Sequence, residues 1–407
     1  MKKKLVQINT VCNTSTGQIM HDIQVAAENR GYGTISFVGR RKVYTDVKCE
    51  KFGNAVSFWM HVILNTLFDR QGFGSYFVTK RLLKRLREEK PDIIHLHNLH
   101  GYYLNLPLLF QYLKDEFQGE VYWTFHDCWP FTGHCPYFVA AACEKWRRGC
   151  CHCPQKNLYP ISYFWDGSKR NYNQKKKMFT AIRHLTILAP SEWMAGLIRA
   201  SFFHDKRIEV VHNGIDLKVF RPCREESEMN QILEKHNISA DKKILLGVAS
   251  VWDKRKGLDT LEELAKHISD AYVIVVVGVN KKQLKKLPEK MRGIERTENK
   301  EELRILYSAA EIFLNPSLEE SFSLVTVEAM ACGTPAIVLG TSAVRELVNE
   351  RCGIVLEKNE IGEYLKAIKK IEDMDLDVEM VAEEAGKYSK DRMVGEVLRV
   401  YGSRTDK

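Results

Sequence analysis

The sequence predicts an α/β fold built from two doubly wound parallel-sheet domains. Three observations carry this. The chain has 407 residues, too many for one ordinary core. Short apolar segments alternate with helix-like segments, the pattern of parallel strands joined by crossover helices. The alternation runs twice, and the polar stretch EESEMNQILEKHNISADKK, read as surface, separates the two runs.

In the first run, KLVQINTV reads as a strand, followed by the loop CNTSTG and a helix from about Gln18 to Arg30. GTISFVG is a second strand. Residues 56–90 read as one long helical stretch that ends in the basic run TKRLLKRLREEK. PDIIHLHNLHG, GEVYWTFHDCW, LTILAPS and RIEVVHNGID supply further strands, and the first two open onto histidine-bearing loops. In the second run the strands are KKILLGVAS, DAYVIVVVG, EIFLNPS and TPAIVLG. Helices fall at about 257–268, 299–309, 324–332 and 342–349, and EEAGKYSKDRMVGEVLRVYGSR forms a helical tail. In open parallel sheets ligands bind beyond the strand C-termini, so the loops there are the ones to search.

Composition narrows the function. Hydrophobic residues make up 44%, enough for a sizeable core. Lys and Arg number 61 against 52 Asp and Glu, a net +9 that suits phosphorylated ligands, nucleic acid or an anionic membrane. The basic residues are dispersed and form no nucleic-acid motif, so nucleic acid is not an expected partner. MKKKLVQINTV alternates as a strand does and reads as no secretory signal. No run of 18 apolar residues predicts a membrane span. The expected location is cytoplasmic, where the 11 cysteines stay reduced or metal-bound. Six of the 11 fall between Cys128 and Cys153.

Five constellations carry chemistry. Asn13–Gly17 stands in a strand–NTSTG–helix turn where glycine lets backbone approach a phosphate or sugar. It lacks the GK[ST] of a P-loop and also reads as an ordinary tight turn. His95, His97, His100 and His126, with Asp127, sit at strand ends, where histidine serves as acid, base or hydrogen-bond donor. For His95 a core role is the expected one. Cys135, Cys143, Cys150 and Cys153 end in a C-x2-C knuckle and make a candidate four-thiolate structural zinc site, with His134, Cys151 and His152 as alternative ligands. The other reading is a loop of free thiols. In SVWDKRKG, Arg255 and Lys256 precede a helix and suit a diphosphate, or a solvated basic turn. In SLEESFSLVTVEAMACGTP, a helix starting near Leu324 carries Glu328, with Glu320 in the loop before it. Its N-terminus suits phosphate, and Glu328 the two hydroxyls of a ribose.

These motifs together resemble the retaining glycosyltransferases of family four, which have the GT-B fold. The resemblance rests on E-x7-E at Glu320 and Glu328, on EAMACGTP, on KG at 256–257, on HNGID at 212–216 and on LYSAAEIFLNPSLEE. A subgroup resemblance, to colanic-acid and capsule-type transferases, rests on INTVCNTSTGQI, LFDRQGFGSYFVTKRL, PDIIHLHNLHGYY and FHDCWPFTGHC with its following cysteines.

The resemblance implies two Rossmann-like domains facing across a cleft. Residues 1–217 would bind the acceptor, with a Cys-rich insertion at about 128–155. Residues 218–385 would bind a nucleoside-diphosphate sugar, and 386–407 would be a helix packing back on the N-terminal domain. It implies Lys256 on the diphosphate, Glu328 on the ribose and Glu320 on the transferred sugar. Backbone of Ser321, Phe322, Ser323, Leu324 and Val325 would support sugar and phosphate. Gly17 would lie at the donor phosphates, His126 by the sugar, and Arg296 and Thr297 near the base. His126, Glu320 and Lys256 would form the catalytic set, with no cofactor or metal in catalysis.

The family usually has an arginine five positions before the lysine. Here Val251 stands there, which leaves Arg255 to replace the missing cation, or a chain weakened to nucleotide-sugar binding alone. The acceptor would be a saccharide, lipid-linked if FWMHVILNTLF and the basic run after it dock on the inner face of a membrane. The same stretch also reads as a core helix followed by a solvated one.

Overall fold

The computed structural model describes residues 2–41 and 44–403, which form two compact units. One comprises Met1–His212 with Val394–Lys407, the other Asn213–Met393. Each is a single parallel sheet covered by helices, so the two Rossmann-like sheets expected from the sequence are present.

The first sheet holds β1 (Lys4–Asn9), β2 (Gly33–Val38), β3 (Cys49–Lys51), β4 (Ile93–Leu96), β5 (Glu120–Thr124), β6 (Leu185–Ala189) and β7 (Arg207–Val210). They lie in the order β3-β2-β1-β4-β5-β6-β7, parallel throughout. The second holds β8 (Lys243–Val248), β9 (Tyr272–Val277), β10 (Met291–Ile294), β11 (Ile312–Asn315), β12 (Ala336–Leu339) and β13 (Gly353–Leu356). Their order is β10-β9-β8-β11-β12-β13, again parallel. Both sheets reverse direction beside their first strand, between β1 and β4 and between β8 and β11. Central strands are buried on both faces, as the unbroken run YVIVVV of β9 requires.

Several elements differ from the sequence reading. The stretch 56–90 is two helices, Ala55–Phe68 and Tyr76–Glu89, not one. DRQGFG breaks it: Asp69 and Ser75 are left-handed and Gly72 has φ +87°. The first helix begins at Ser15 rather than Gln18, because Gln18 N–H already bonds Thr14 O at 2.8 Å. Gly17 therefore lies in its first turn, pressed on the Cys12 carbonyl; a Cβ there would stand 2.1 Å from that oxygen. Residues 343–346 make a short 3-10 turn where an α-helix was expected. The polar stretch between the runs contains a helix, Glu226–Lys235. The tail is interrupted at Ser389, and its last helix spans Lys390–Gly402. Residues 404–407 of the expected tail lie outside the described residues.

The end of that helix closes the first unit. Tyr401 is 1% exposed; its hydroxyl meets His95 Nδ1 at 2.6 Å and its ring packs on Tyr122 at 4.7 Å. We expect Tyr401→Ala to cost roughly 3–5 kcal/mol in urea unfolding. Tyr401→Phe should cost only about 1 kcal/mol, the hydrogen bond. Equal, small losses in both variants would mean the helix does not support the core.

Candidate active site

In the second unit the two loops at the switch point hold the predicted residues together. After β8 the chain runs through Trp252 to Gly257, which has φ +76° and sits so close to Pro316 that a Cβ would stand 2.8 Å from its carbonyl oxygen. This close approach explains the Lys-Gly pair: the residue after Lys256 has to be glycine. The Lys256 ammonium forms an ion pair with Glu320. Arg255 donates to the Glu319 carbonyl at 2.6 Å, and Leu318 N–H returns a bond to the Arg255 carbonyl at 2.8 Å. Burial works to raise the Glu320 carboxyl, but Lys256 and Arg255 outweigh it and hold the group below its usual range.

After β11 a buried polar cluster shapes the acidic loop. Asn315 Nδ2 donates to Ser323 Oγ at 3.0 Å and to Thr326 Oγ1 at 2.9 Å, while its Oδ1 accepts from Ser317 N–H. Glu320 N–H donates to Ser342 Oγ at 2.9 Å. The following helix, Leu324–Ala331, starts after Ser323, whose φ is 106° and whose side chain does not cap it. Ser321, Leu324 and Val325 are half-buried at this end, and Phe322 is buried against Tyr388. An uncapped helix start leaves its first N–H groups to a ligand or to water.

Glu328 lies one turn along the same helix. Its environment pushes the carboxyl up to about 7, chiefly through burial, against the pull of the Tyr307 hydroxyl and Lys300. Tyr307 donates to it at 3.0 Å. The two acids of E-x7-E thus differ in kind: Glu320 is ion-paired, whereas Glu328 has no cation at ion-pair distance among the described residues.

Arg296 and Thr297 follow edge strand β10, Arg296 exposed. They join the rest through the next helix, Lys300–Ser308, which carries Tyr307. Val251, where the family has arginine, is 65% exposed and its neighbour Trp252 is buried, its indole N–H on Val277 O.

The first unit brings Gly17, the histidines and Asp127 to the ends of β1, β4 and β5. His95 is core, with both ring nitrogens bonded, to Tyr401 and Thr124. Gln7 donates through Nε2 to Met20 O, so its Oε1 accepts from His97 Nε2–H. His97 Nδ1 is then an acceptor, and the 3.1 Å contact with His126 makes His126 Nε2–H the donor. Burial lowers His126 to about 4, with Asp127 opposing and His100 adding to the fall. His126 is therefore neutral near pH 7. Asp127 instead pairs with His100 at 2.7 Å.

A pocket of ≈ 360 Å³ opens here, lined among others by Thr10, Thr14, Thr16, Arg40, Asn98 and Tyr159. Arg40 Nε is buried without a hydrogen-bond partner. Sequence reading missed the roles of Arg40, Tyr307 and Asn315: Arg40 belongs to no motif, and Tyr307 and Asn315 stand in LYSAAEIFLNPSLEE without any local sign of what they bond. Cys135, Cys143, Cys150 and Cys153 line one narrow cavity as free thiols, yet no three side chains among the described residues are already gathered as a metal centre.

With this geometry in place the kinship is plain. Residues 47–219 match the family model described as Glycosyltransferase Family 4, and residues 228–391 that of Glycosyl transferases group 1. The chain belongs to the family-four glycosyltransferases and has their GT-B fold. Among particular relatives, it is 24% identical over 324 residues to an Escherichia coli K12 protein named as a colanic acid biosynthesis glycosyl transferase, WcaC. That alignment covers 76% of this chain and 74% of WcaC. In fold it is similar to sucrose-phosphate synthase from Thermosynechococcus elongatus, with a TM-score of 0.73 at 15% identity over 99% of each chain. It is also similar to Anabaena HepE solved with UDP-glucose, with a TM-score of 0.69 at 14% identity over 98% of this chain and 99% of that one.

The raised Glu328 makes a stability prediction. A carboxyl whose folded pKa lies above its unfolded value destabilises the fold as pH rises from about 4.5 to about 7, since the folded state must give up a favoured proton. Glu328→Gln should melt above wild type at pH 8, by at most about 3 kcal/mol, and lose that advantage by pH 5. A gain independent of pH would show that Glu328 is not held neutral by its site.

Proposed function

We propose that this glycosyltransferase moves a hexose from a nucleoside-diphosphate sugar to a saccharide acceptor, with retained anomeric configuration, in capsule or exopolysaccharide synthesis. The observation that carries the reading is the Lys256–Glu320 pair, backed by Arg255, at the open start of the helix that bears Glu328. The complexes of HepE with UDP and with UDP-glucose, and the name of WcaC, support it by likeness.

In this reading the diphosphate takes Lys256 from Glu320, and the freed carboxylate accepts hydroxyls of the sugar. Lys256, Arg255 and the helix start stabilise the charge that grows on the leaving group. The helix start uses backbone from Ser321 to Val325. Glu328 holds the ribose, Arg296 and Thr297 flank the base, and Gly17 lets backbone approach the phosphates. The anomeric carbon–phosphate oxygen bond breaks as the acceptor oxygen bonds the same face, and the acceptor proton passes to the departing phosphate oxygen. His126, neutral, orients the sugar rather than acting as a base. The chain needs no catalytic metal, because its own cations carry the phosphate charge. The exposed Val251, in place of a cation, supports a second reading: a protein weakened to nucleotide-sugar binding.

We assign the acceptor to a membrane-bound lipid carrier. The helix Ala55–Phe68 is turned inside out: it buries His61 and Asn65, while Trp59 (61%), Met60 (66%) and Ile63 (57%) face outward. The loop carrying Tyr163, Phe164 and Trp165, also exposed, is stitched to it by Tyr163 N–H on Thr66 O and Asn65 Nδ2 on Ile161 O. Arg170, bonded to Phe68 O, borders the patch. Aromatic side chains beside arginine suit the interface of an anionic bilayer. No helix among the described residues is long and apolar enough to cross one.

Three measurements test these readings. In a thermal-shift panel of UDP, GDP, ADP and CMP, one nucleotide should raise the melting temperature in a concentration-dependent way, and Glu328→Ala should abolish the shift. Lys256→Ala should lower transfer on the order of 10²–10³-fold. No shift with any nucleotide would sink the donor assignment, and a shift without sugar transfer or donor hydrolysis would favour the second reading. The protein should also sediment with anionic vesicles at low salt and release at high salt, and Trp59→Ser with Phe164→Ser should weaken this about 10-fold or more. Unchanged sedimentation of that double variant would remove the patch from the account.

A further inference from the structure

The cysteine loop of the first unit surrounds a cavity of ≈ 10 Å³, room for about one water-sized occupant. Cys135, Cys143, Cys150, Cys151 and Cys153 line it, with His134 and Trp146. The sequence spacing is C-x7-C-x6-C-x2-C over Cys135, Cys143, Cys150 and Cys153. The thiols of Cys135 and Cys153 are hydrogen-bonded to one another, and Gly133 N–H donates to Cys150 Sγ at 3.2 Å. No disulfide joins any of them.

One polar atom at this cavity, Trp146 Nε1, has no hydrogen-bond partner, whereas His134 also engages the Leu158 backbone and the Ser168 hydroxyl the Asp166 carboxylate. His134 is 2% exposed and Trp146 1%. The opposite nitrogen of His134, Nδ1, is fixed by Asp69 Oδ1 at 2.7 Å. Buried polar atoms are almost always paired, so an orphaned indole N–H beside an atom-sized hole lined by five thiols points to a missing occupant.

A water would satisfy this N–H but leaves a second feature unexplained. Lys175 is 1% exposed, and its ammonium bonds only the Trp129 and Thr132 carbonyls and lies 3.3 Å from the Trp129 ring centroid. Among the described residues no carboxylate stands at ion-pair distance from it. Burial pushes its ammonium down to about 7, and a negative charge nearby would keep it charged. Four thiolates around a divalent metal carry a net charge of −2 and would supply it.

We propose that Cys135, Cys143, Cys150 and Cys153 bind a structural zinc ion as thiolates, closing the loop that follows β5. The sulfurs are drawn in from the cavity wall, and four thiol protons leave as the metal binds. Trp146 Nε1, at the cavity wall, is free to donate to sulfur, as outer partners of metal thiolates do, and Asp69 holds the neighbouring His134 imidazole. A closed four-thiolate site leaves no open position for catalysis. Its effect is to tie the break after helix Ala55–Phe68, through Asp69, to the loop that carries His126 and Asp127.

The test uses the full chain as purified without chelator. Elemental analysis should find about one zinc per chain. A mercurial that titrates the thiols should release it to a colorimetric indicator in one step. Replacing zinc by cobalt should give the intense visible bands of a tetrahedral site with a thiolate charge-transfer band. The variant Cys135→Ser with Cys153→Ser should lose the metal. Wild type holding less than about a tenth of an equivalent of zinc after growth with added zinc would overturn the proposal. So would iron in its place, cobalt spectra without thiolate ligation, or full zinc retention by the soluble double variant. The wild-type measurements decide the matter even if that variant fails to fold.

Discussion

A parallel strand cannot be joined to its neighbour by a tight turn, and that constraint orders everything else in this molecule. Each strand has to be followed by a crossover, so the carboxyl ends of all strands in a sheet open on one edge. Where the order reverses, successive crossovers leave on opposite faces and their loops part. Both sheets reverse beside their first strand, β1 against β4 and β8 against β11. The loops after those four strands, with the strand end and helix turn that border them, carry Gly17, the cluster from His97 to His100, Arg255 with Lys256, and the run from Asn315 to Ser323. The strands themselves are too deeply buried to hold such groups. Chemistry is confined to the loops because the sheet leaves it nowhere else.

Within the second unit the confinement creates a problem of charge. Two cations and two acids sit largely out of water beside a helix start. The molecule solves it by internal pairing, Lys256 with Glu320 and Arg255 with the Glu319 carbonyl. Each of these partners is of a kind that a phosphate or a sugar hydroxyl can replace. The pairing therefore keeps the site satisfied when empty without fixing it against a ligand. Glu328 is treated differently. It receives a neutral hydroxyl from Tyr307 instead of a cation, and its carboxyl rises towards neutrality. One helical motif thus presents one charged acid and one whose proton is loosely poised, and the difference comes from tertiary neighbours alone.

That difference marks how far the sequence could be read. Strands such as YVIVVV and the start of the helix at Leu324 were legible because burial on both faces and a small-residue loop running into a helix that ends at a Gly-Thr-Pro stop leave local traces. Lys256, Glu320 and Glu328 were legible because they stand in motifs. The break at Asp69–Ser75 was less so: the flanking segments are both helical in pattern, and the left-handed residues that split them are not all glycine. The length of helix Ala55–Phe68 was legible, but not its orientation, since a strongly apolar helix reads as core unless the fold shows that His61 and Asn65 point inward. Arg40 left no trace at all, and the motif that holds Tyr307 and Asn315 does not show their roles. Tyr307 acts on Glu328, and Asn315 on Ser323 and Thr326, 8 to 21 positions away, and no local pattern encodes such a pairing.

The histidines of the first unit take the argument one step further. The amide of Gln7 fixes the tautomer of His97, and His97 fixes that of His126. His97 must donate through Nε2 and accept through Nδ1, and His126 donates through Nε2. Protonating His97 would set two N–H groups against each other at its contact with His126. Burial adds to the penalty by lowering all of His95, His97 and His126. The network keeps its polarity while His97 is neutral, and burial holds His126 neutral as well, so it can aim a ring but does not take up a proton near pH 7. A retaining transfer that needs a proton acceptor then has to find it among groups that remain charged when the ligand is bound. In the reading proposed above the departing phosphate is the strongest such group, and the rigidity of the histidine chain is what leaves the task to it.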